Sequence, residues 1–169
     1  MEIWEIYPAL VHFPIVLLLA GVILDLYARA RGSVTAGQVA TGLFIAGVLF
    51  GLVTGLAGFV AFFTVPAAHT ETAHDRVLWH LGLALASVLL FAGVSWVRWR
   101  GWRQLPSAGS LVVSLVAAGL RGVAGYLGGQ IVYHGGMGIE PDILSPRLSH
   151  HHYESGEQHA GGAADHHAR

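Results

Sequence analysis

The sequence contains no cysteine and no lysine, and charged residues make up only 11% of its 169 positions. The absence of cysteine excludes disulfide bonds and thiolate metal sites. Apolar residues amount to 54% of the chain, and the mean hydropathy is +0.58. A water-soluble domain with so few polar groups could not cover its surface, so the composition indicates a membrane protein.

Four apolar stretches are long enough to cross a bilayer as helices, which takes about 20 residues each. They cover residues 8–27, 39–65, 77–97 and 106–134. We therefore predict an all-α membrane protein, a four-transmembrane-helix bundle over residues 1–140. The segment 141–169 is polar and rich in glycine and histidine, so we expect a disordered periplasmic tail. The first span should remain in the mature protein, because its flank carries Glu2 and Glu5 where a signal peptide has basic residues.

Arginine is concentrated on one side of the predicted bundle. Arg29 and Arg31 follow the first span, and Arg98, Arg100 and Arg103 follow the third. Short loops rich in positive charge stay in the cytoplasm. We therefore expect a protein of the bacterial inner (cytoplasmic) membrane with both termini outside.

The histidines outside the tail all fall on the predicted outer side, and two halves of the chain repeat one pattern. In each half a histidine lies at the beginning of a span, an Arg-x-Arg-Gly motif (29–32 and 98–101) follows that span, and the next span carries Gly-x-x-Gly. This predicts two parallel two-helix repeats related by a pseudo-two-fold axis along the membrane normal. A second outer histidine ends each repeat, so we expect a ring of four at similar depth: His12, His69, His80 and His134.

Imidazoles on facing helices suit a haem b, which needs two axial ligands, and these four histidines are the candidate haem-binding residues. Glycines 47, 51 and 55 in the second span and 122, 125 and 129 in the fourth either allow close helix packing or leave a slot for the macrocycle. The alternative cofactor is copper or zinc, which imidazole also binds. The candidate metal ligands are His74, beside Glu71 and Asp75, and His150, His151 and His152 in the tail.

Two charges lie within the predicted spans. Asp25 comes 13 residues after His12, and Arg121 comes 13 before His134. At 1.5 Å per helical residue, both lie about 20 Å from the histidines. An unpaired charge at that depth costs at least about 2.5–3.5 kcal/mol, so we expect an intramembrane ion pair between Asp25 and Arg121. A proton path across the membrane is the functional alternative.

The stretches "LVHFPIVLLLAGVILDLYA" and "GYLGGQIVYHGGMG", with the glycine-rich second span, resemble the DUF2231 family of predicted four-helix bacterial membrane proteins over residues 8–139. Members of this family are found fused to cytochrome c-like or Rieske domains, and the resemblance therefore implies redox work at the outer face. By this resemblance, the positions that correspond to the family's motifs are His12, in "VHFP", and His134, in "YHGG". Ala61 stands where the family leads us to expect an acidic residue.

The first functional hypothesis is therefore a b-type haem electron-transfer protein with bis-His haem near the outer face. The alternatives are a periplasm-facing copper- or zinc-binding membrane protein and a structural subunit of a larger membrane complex. An electron carrier or subunit is favoured over a stand-alone enzyme, since no nucleophile triad, phosphate loop or carboxylate pair is found. The expected partners are the lipid bilayer and a periplasmic redox carrier, quinone or membrane redox complex. No nucleic-acid partner is expected, and a homo-oligomer stays open.

Overall fold

The computed structural model of the protein describes the backbone of residues 10–64 and 71–135, and the side chains of residues 10–60 and 75–133. The described residues form four helices: α1 (His12–Arg31), α2 (Val34–Thr64), α3 (Glu71–Arg100) and α4 (Ala108–Gly135). Each is long and apolar enough to cross a membrane, and the described residues contain no strand. The predicted all-α four-span fold is confirmed. The predicted tail, 141–169, lies outside the described residues.

Each helix extends beyond its predicted span on at least one side, and two extensions at the arginine end change the assignment of arginines. We expected the first span to end at residue 27 and the third at 97, whereas α1 continues to Arg31 and α3 to Arg100. Hydropathy marks only the hydrocarbon core, and arginine is a good helix former that continues the helix into the headgroup region. As a result, Arg98 belongs to a helix and not to a loop.

The turn between α1 and α2 is two residues long and satisfies its own backbone groups. Gly32 adopts the left-handed conformation (φ 64°, ψ 26°), and its N–H donates to the carbonyl of Ala28. The N–H of Ser33 donates to the same carbonyl at 2.9 Å, and the Ser33 hydroxyl accepts from the N–H of Ala36 at 3.2 Å. A glycine after the helix end and a serine at the next helix start are the expected caps, so the chain reverses tightly here.

The connection between α3 and α4 is longer and ends in a similar cap. The N–H of Gln104 donates to the carbonyl of Gly101 at 2.8 Å, which forms a turn after α3. Pro106 then precedes Ser107, whose hydroxyl accepts from the N–H of Ser110 at 3.1 Å. Both connections therefore lie at one end of the bundle. We call it the arginine end because it carries Arg29, Arg31, Arg98, Arg100 and Arg103, and we call the opposite end the histidine end.

The bundle consists of two hairpins, α1–α2 and α3–α4. Each hairpin has an extensive internal interface, and smaller contacts join α2 to α3 and α4 to α1. The helices therefore form a ring in chain order, with α1 diagonal to α3. An internal duplication predicts two parallel hairpins that contact each other through two helix pairs. The contacts of α2 with α3 and of α4 with α1 have this arrangement.

The centre of the bundle is packed by large apolar side chains against small residues. Leu18, Phe44 and Phe91 are fully buried, and the two phenylalanine ring centroids lie 5.2 Å apart. A Cβ at Gly47 would lie 2.6 Å from Leu18 Cδ2, and one at Gly21 would lie 2.6 Å from Phe44 Cε1. Lipid tails are as apolar as these side chains, so the close packing itself holds the helices together.

Candidate functional site

His80 is the described histidine with the best-defined surroundings. It lies in α3, half-buried, and its Nδ1 is 2.7 Å from the carbonyl oxygen of Ala124 in α4. A carbonyl oxygen only accepts hydrogen bonds, so Nδ1 is the donor, and in the neutral ring Nε2 carries the lone pair. Metal-ligating histidines are commonly oriented by this kind of hydrogen bond from the other ring nitrogen.

Gly128 of α4 leaves the space that the His80 ring occupies. A Cβ at Gly128 would lie 3.1 Å from His80 Cε1 and 3.3 Å from Nδ1. Gly128 is one helical turn beyond Ala124, so both residues lie on the same face of α4. The imidazole therefore lies against the backbone of α4, and this contact holds the plane of the ring.

His12 has a different setting, although the repeat makes it the counterpart of His80. It is the first residue of α1 and is exposed, whereas His80 is the tenth residue of α3. The Thr54 hydroxyl donates to the carbonyl of Leu10 at 3.4 Å, a contact that ties this end of the chain to α2. The two histidines therefore differ in exposure and in the helical context of their backbone.

The other predicted ligands lie wholly or partly beyond the description. His74 is within α3 and His134 within α4, but their side chains are outside the described residues, as are His69 and the tail histidines 150, 151 and 152 in full. Within the described side chains, 10–60 and 75–133, no group of three or more His, Asp or Glu could hold a metal ion. The predicted ring of four histidines thus stays a prediction.

The arginine end contains a buried ion pair, but its members differ from those expected. Arg98 Nη1 donates to Asp25 Oδ1 at 2.5 Å, across the diagonal from α3 to α1. We predicted Arg121 as the partner of Asp25, whereas the structure pairs this carboxylate with Arg98. Asp25 is fully buried, and its second oxygen, Oδ2, has no hydrogen-bond partner among the described residues. The carboxylate is thus held by Arg98.

The register of the helices accounts for this difference. Ser87 and His80 of α3 hydrogen-bond to the carbonyls of Ala117 and Ala124 in α4, so Arg121 lies level with the stretch of α3 between His80 and Ser87. Arg98 lies eleven residues beyond Ser87, about 16 Å further toward the arginine end. The prediction assumed that His12 and His134 lie at one depth, whereas Asp25 is within reach of Arg98 and therefore lies nearer the arginine end than Arg121.

Arginines at matching repeat positions form reciprocal contacts between the hairpins. Arg98 Nη2 donates to the carbonyl of Gly37 in α2 at 2.7 Å, and Arg29 Nη1 donates to the carbonyl of Pro106, just before α4, at 3.0 Å. Gly37 follows Arg29 by eight residues, and Pro106 follows Arg98 by eight. Each first arginine of an Arg-x-Arg-Gly motif therefore fastens its hairpin to the other one.

The predicted glycine positions divide into two groups. A Cβ at Gly51 would lie 3.2 Å from Val88, and Gly47 packs on Leu18, so these two let helices approach closely. A Cβ at any of four others would meet nothing within 4 Å; these are Gly55, Gly122, Gly125 and Gly129.

Sequence reasoning missed two residues of these sites. Gly128, which accommodates His80, was not selected, although it lies in the "YLGGQ" motif beside Gly129. Arg98 was assigned to a loop, although its motif matches that of Arg29 and ends a helix. If the glycine that ends each Arg-x-Arg-Gly motif is read as a helix C-cap, Arg98 falls inside the last turn of α3.

The fold and the two sites define a class: an all-α membrane protein of four helices, with a buried ion pair at one end and a hydrogen-bonded imidazole toward the other. The family model described as a predicted membrane protein, DUF2231, matches residues 5–141. The chain belongs to the DUF2231 family, as the sequence motifs predicted. No curated protein and no solved structure matches the chain.

Proposed function

We propose that this protein is a b-type haem electron-transfer protein of the membrane, with His80 as an axial ligand toward the histidine end. The observation that supports this most is the hydrogen bond from His80 Nδ1 to the Ala124 carbonyl. That bond selects the tautomer in which Nε2 is the basic nitrogen, the atom through which an imidazole coordinates haem iron.

The residues around His80 fit an axial ligand. The ring is oriented by two contacts on one face of α4, the Ala124 carbonyl and the backbone at Gly128. The hydrogen bond to Ala124 is made through Nδ1 and leaves the ligating role to Nε2. The second axial imidazole would come from His12 or His69 of the predicted ring, since the backbone of His134 lies ten helical residues beyond Ala124, about 15 Å from the level of His80.

A bound haem would supply one-electron redox chemistry, and the chain would supply the ligand, its orientation and the dielectric surroundings. His80 lies within a helix and is half-buried, so the helix fixes its backbone and the neighbouring α4 covers part of its ring. The proposed function is then to pass electrons between a quinone or membrane redox complex and a carrier in the periplasm, with the histidine end facing outward. The proposed orientation follows from the five arginines at the opposite end.

The same nitrogen suits copper or zinc, and the test therefore distinguishes the cofactors. The full chain is expressed with a haem supply and purified, and a dithionite-reduced minus air-oxidised absorption spectrum is recorded beside elemental analysis for copper, zinc and iron. We expect sharp reduced α and Soret bands with iron as the metal. A colourless protein containing copper or zinc would support the metal-binding alternative. A colourless protein without metal, even after haem reconstitution, would contradict both and leave the structural-subunit hypothesis.

A further inference from the structure

A small cavity of mixed polar and apolar lining lies at the arginine end, between the start of α2, the end of α3 and the start of α4. Its volume is about 70 Å³. The polar residues that line it are Thr41, Arg98, Gln104, Ser107 and Ser110. We infer that this cavity binds the phosphate group of an anionic phospholipid. The inference does not depend on the haem proposal, since it concerns the opposite end of the bundle.

Arg98 is the charged residue of the cavity wall. Arg98 is only 8% exposed, yet it lines the cavity. Its hydrogen bonds to Asp25 Oδ1 and the Gly37 carbonyl use two of the five N–H donors of a guanidinium. The other three N–H donors take part in no described hydrogen bond, and phosphate oxygens match this planar group well.

The charges around the cavity favour an anion. The described segments at this end contain five arginines and a single carboxylate, Asp25, which is committed to Arg98 and does not line the cavity. The helix α4 also begins beside the cavity, and a helix N-terminus carries partial positive charge. Basic pockets between transmembrane helices are known to bind anionic lipid head groups.

The cavity lies at the depth of lipid head groups. Trp96, Trp99 and Trp102 are 62%, 60% and 39% exposed, and tryptophans of this kind mark the membrane interface. Trp102 itself lines the cavity, and Arg100 lies over the Trp96 ring, 5.0 Å from its centroid. The phosphate available at this depth is that of a phospholipid, so we assign the ligand to the lipid and not to soluble phosphate.

Two matched variants test the assignment. Ser110→Leu fills the cavity and leaves the capping hydroxyl of Ser107 in place, whereas Ala108→Leu adds the same side chain at an exposed position of the same helical turn, outside the cavity. The full chain and both variants are placed in phosphatidylcholine nanodiscs, with or without phosphatidylglycerol. We expect phosphatidylglycerol to raise the Tm of the wild type and of Ala108→Leu, but not that of Ser110→Leu. Native mass spectrometry should show bound phosphatidylglycerol in the same two proteins.

Gln104→Leu is a second variant that leaves the core intact, because Gln104 is an exposed side chain of the cavity wall. It should reduce the response to phosphatidylglycerol. An equal response in Ser110→Leu, Gln104→Leu and the wild type would overturn the inference. An equal rise in Tm on adding inorganic phosphate to phosphatidylcholine nanodiscs would also overturn it, since the site would then take a soluble anion.

Discussion

The two hairpins carry the same sequence motifs but use them differently. Of the two motif arginines, Arg98 is buried and paired with Asp25, whereas Arg29 is exposed and reaches only a backbone carbonyl. Of the two motif histidines, His80 is half-buried and hydrogen-bonded to α4, whereas His12 is exposed at the start of its helix. In both cases the member in the second hairpin lies inside the bundle.

This difference shows that a repeated motif does not give repeated chemistry. Equivalent positions share a place along the membrane, but the neighbouring helix determines burial and partners. Asp25 has no acidic counterpart in the second half, so only one of the two arginines faces a carboxylate. The proposed ligand and the ion pair therefore both depend on α3, one toward each end of that helix.

The largest predicted effect comes from removing Arg98. Arg98→Ala leaves Asp25 buried without its partner, which should lower the free energy of unfolding by about 3–5 kcal/mol. The measurement is a denaturant titration of the purified protein in detergent, followed by tryptophan fluorescence or helical circular dichroism. A loss of under about 1 kcal/mol would show that the pair is not buried as described.

Replacing both members of the pair should restore much of that loss. In Asp25→Leu with Arg98→Met, no charge remains at this site, and buried ion pairs exchanged for apolar residues are often neutral or stabilising. The double variant should therefore be more stable than Arg98→Ala in the same titration. If Asp25→Leu with Arg121→Ala were more stable than Asp25→Leu with Arg98→Met, the pairing would have to be reassigned.

The matched variant in the first hairpin should have a smaller effect. Arg29→Ala removes one hydrogen bond, to the Pro106 carbonyl, from an exposed side chain. The expected loss is about 1 kcal/mol, the usual net value of a single hydrogen bond. Equal losses for Arg29→Ala and Arg98→Ala would remove the proposed difference between the hairpins.

The smallest predicted effect separates two adjacent glycines. Gly128→Ala places a methyl group against the His80 ring and should weaken haem binding several-fold, because the ring must shift. Gly129→Ala makes the same change where a Cβ meets nothing within 4 Å, so haem binding should stay at the wild-type level. Haem titration followed at the Soret band measures both. Equal affinities would show that the Gly128 contact does not position the ligand.

Much of the fold follows from the sequence, because hydropathy and capping are local properties. The four spans need only an apolar run, and the end of α1 needs only Gly32 followed by Ser33. The partner of Asp25 is different, since it depends on the register between helices. Counting 13 residues from His12 and from His134 gives one depth only if the two histidines lie at one level, and the contacts of α3 with α4 put Arg121 nearer the histidine end than Arg98.

The histidine site was likewise predictable only in part. His80 was selected because outer histidines recur in both halves, but its hydrogen bond to Ala124 depends on how closely α3 and α4 approach. Gly128 permits that approach, and a sequence with 23 glycines gives no local reason to prefer it. A search for small residues one turn apart, opposite each intramembrane histidine, would have narrowed the choice.

The most direct test of the haem proposal is the reduced-minus-oxidised spectrum of His80→Ala beside those of the wild type and of His12→Ala, all prepared with equal haem supply. We expect α and Soret bands in the wild type and their loss in His80→Ala, with a smaller change in His12→Ala because that side chain is exposed. Circular dichroism should show equal helix content in all three proteins. Unchanged bands in His80→Ala would contradict the assignment of His80 as a haem ligand.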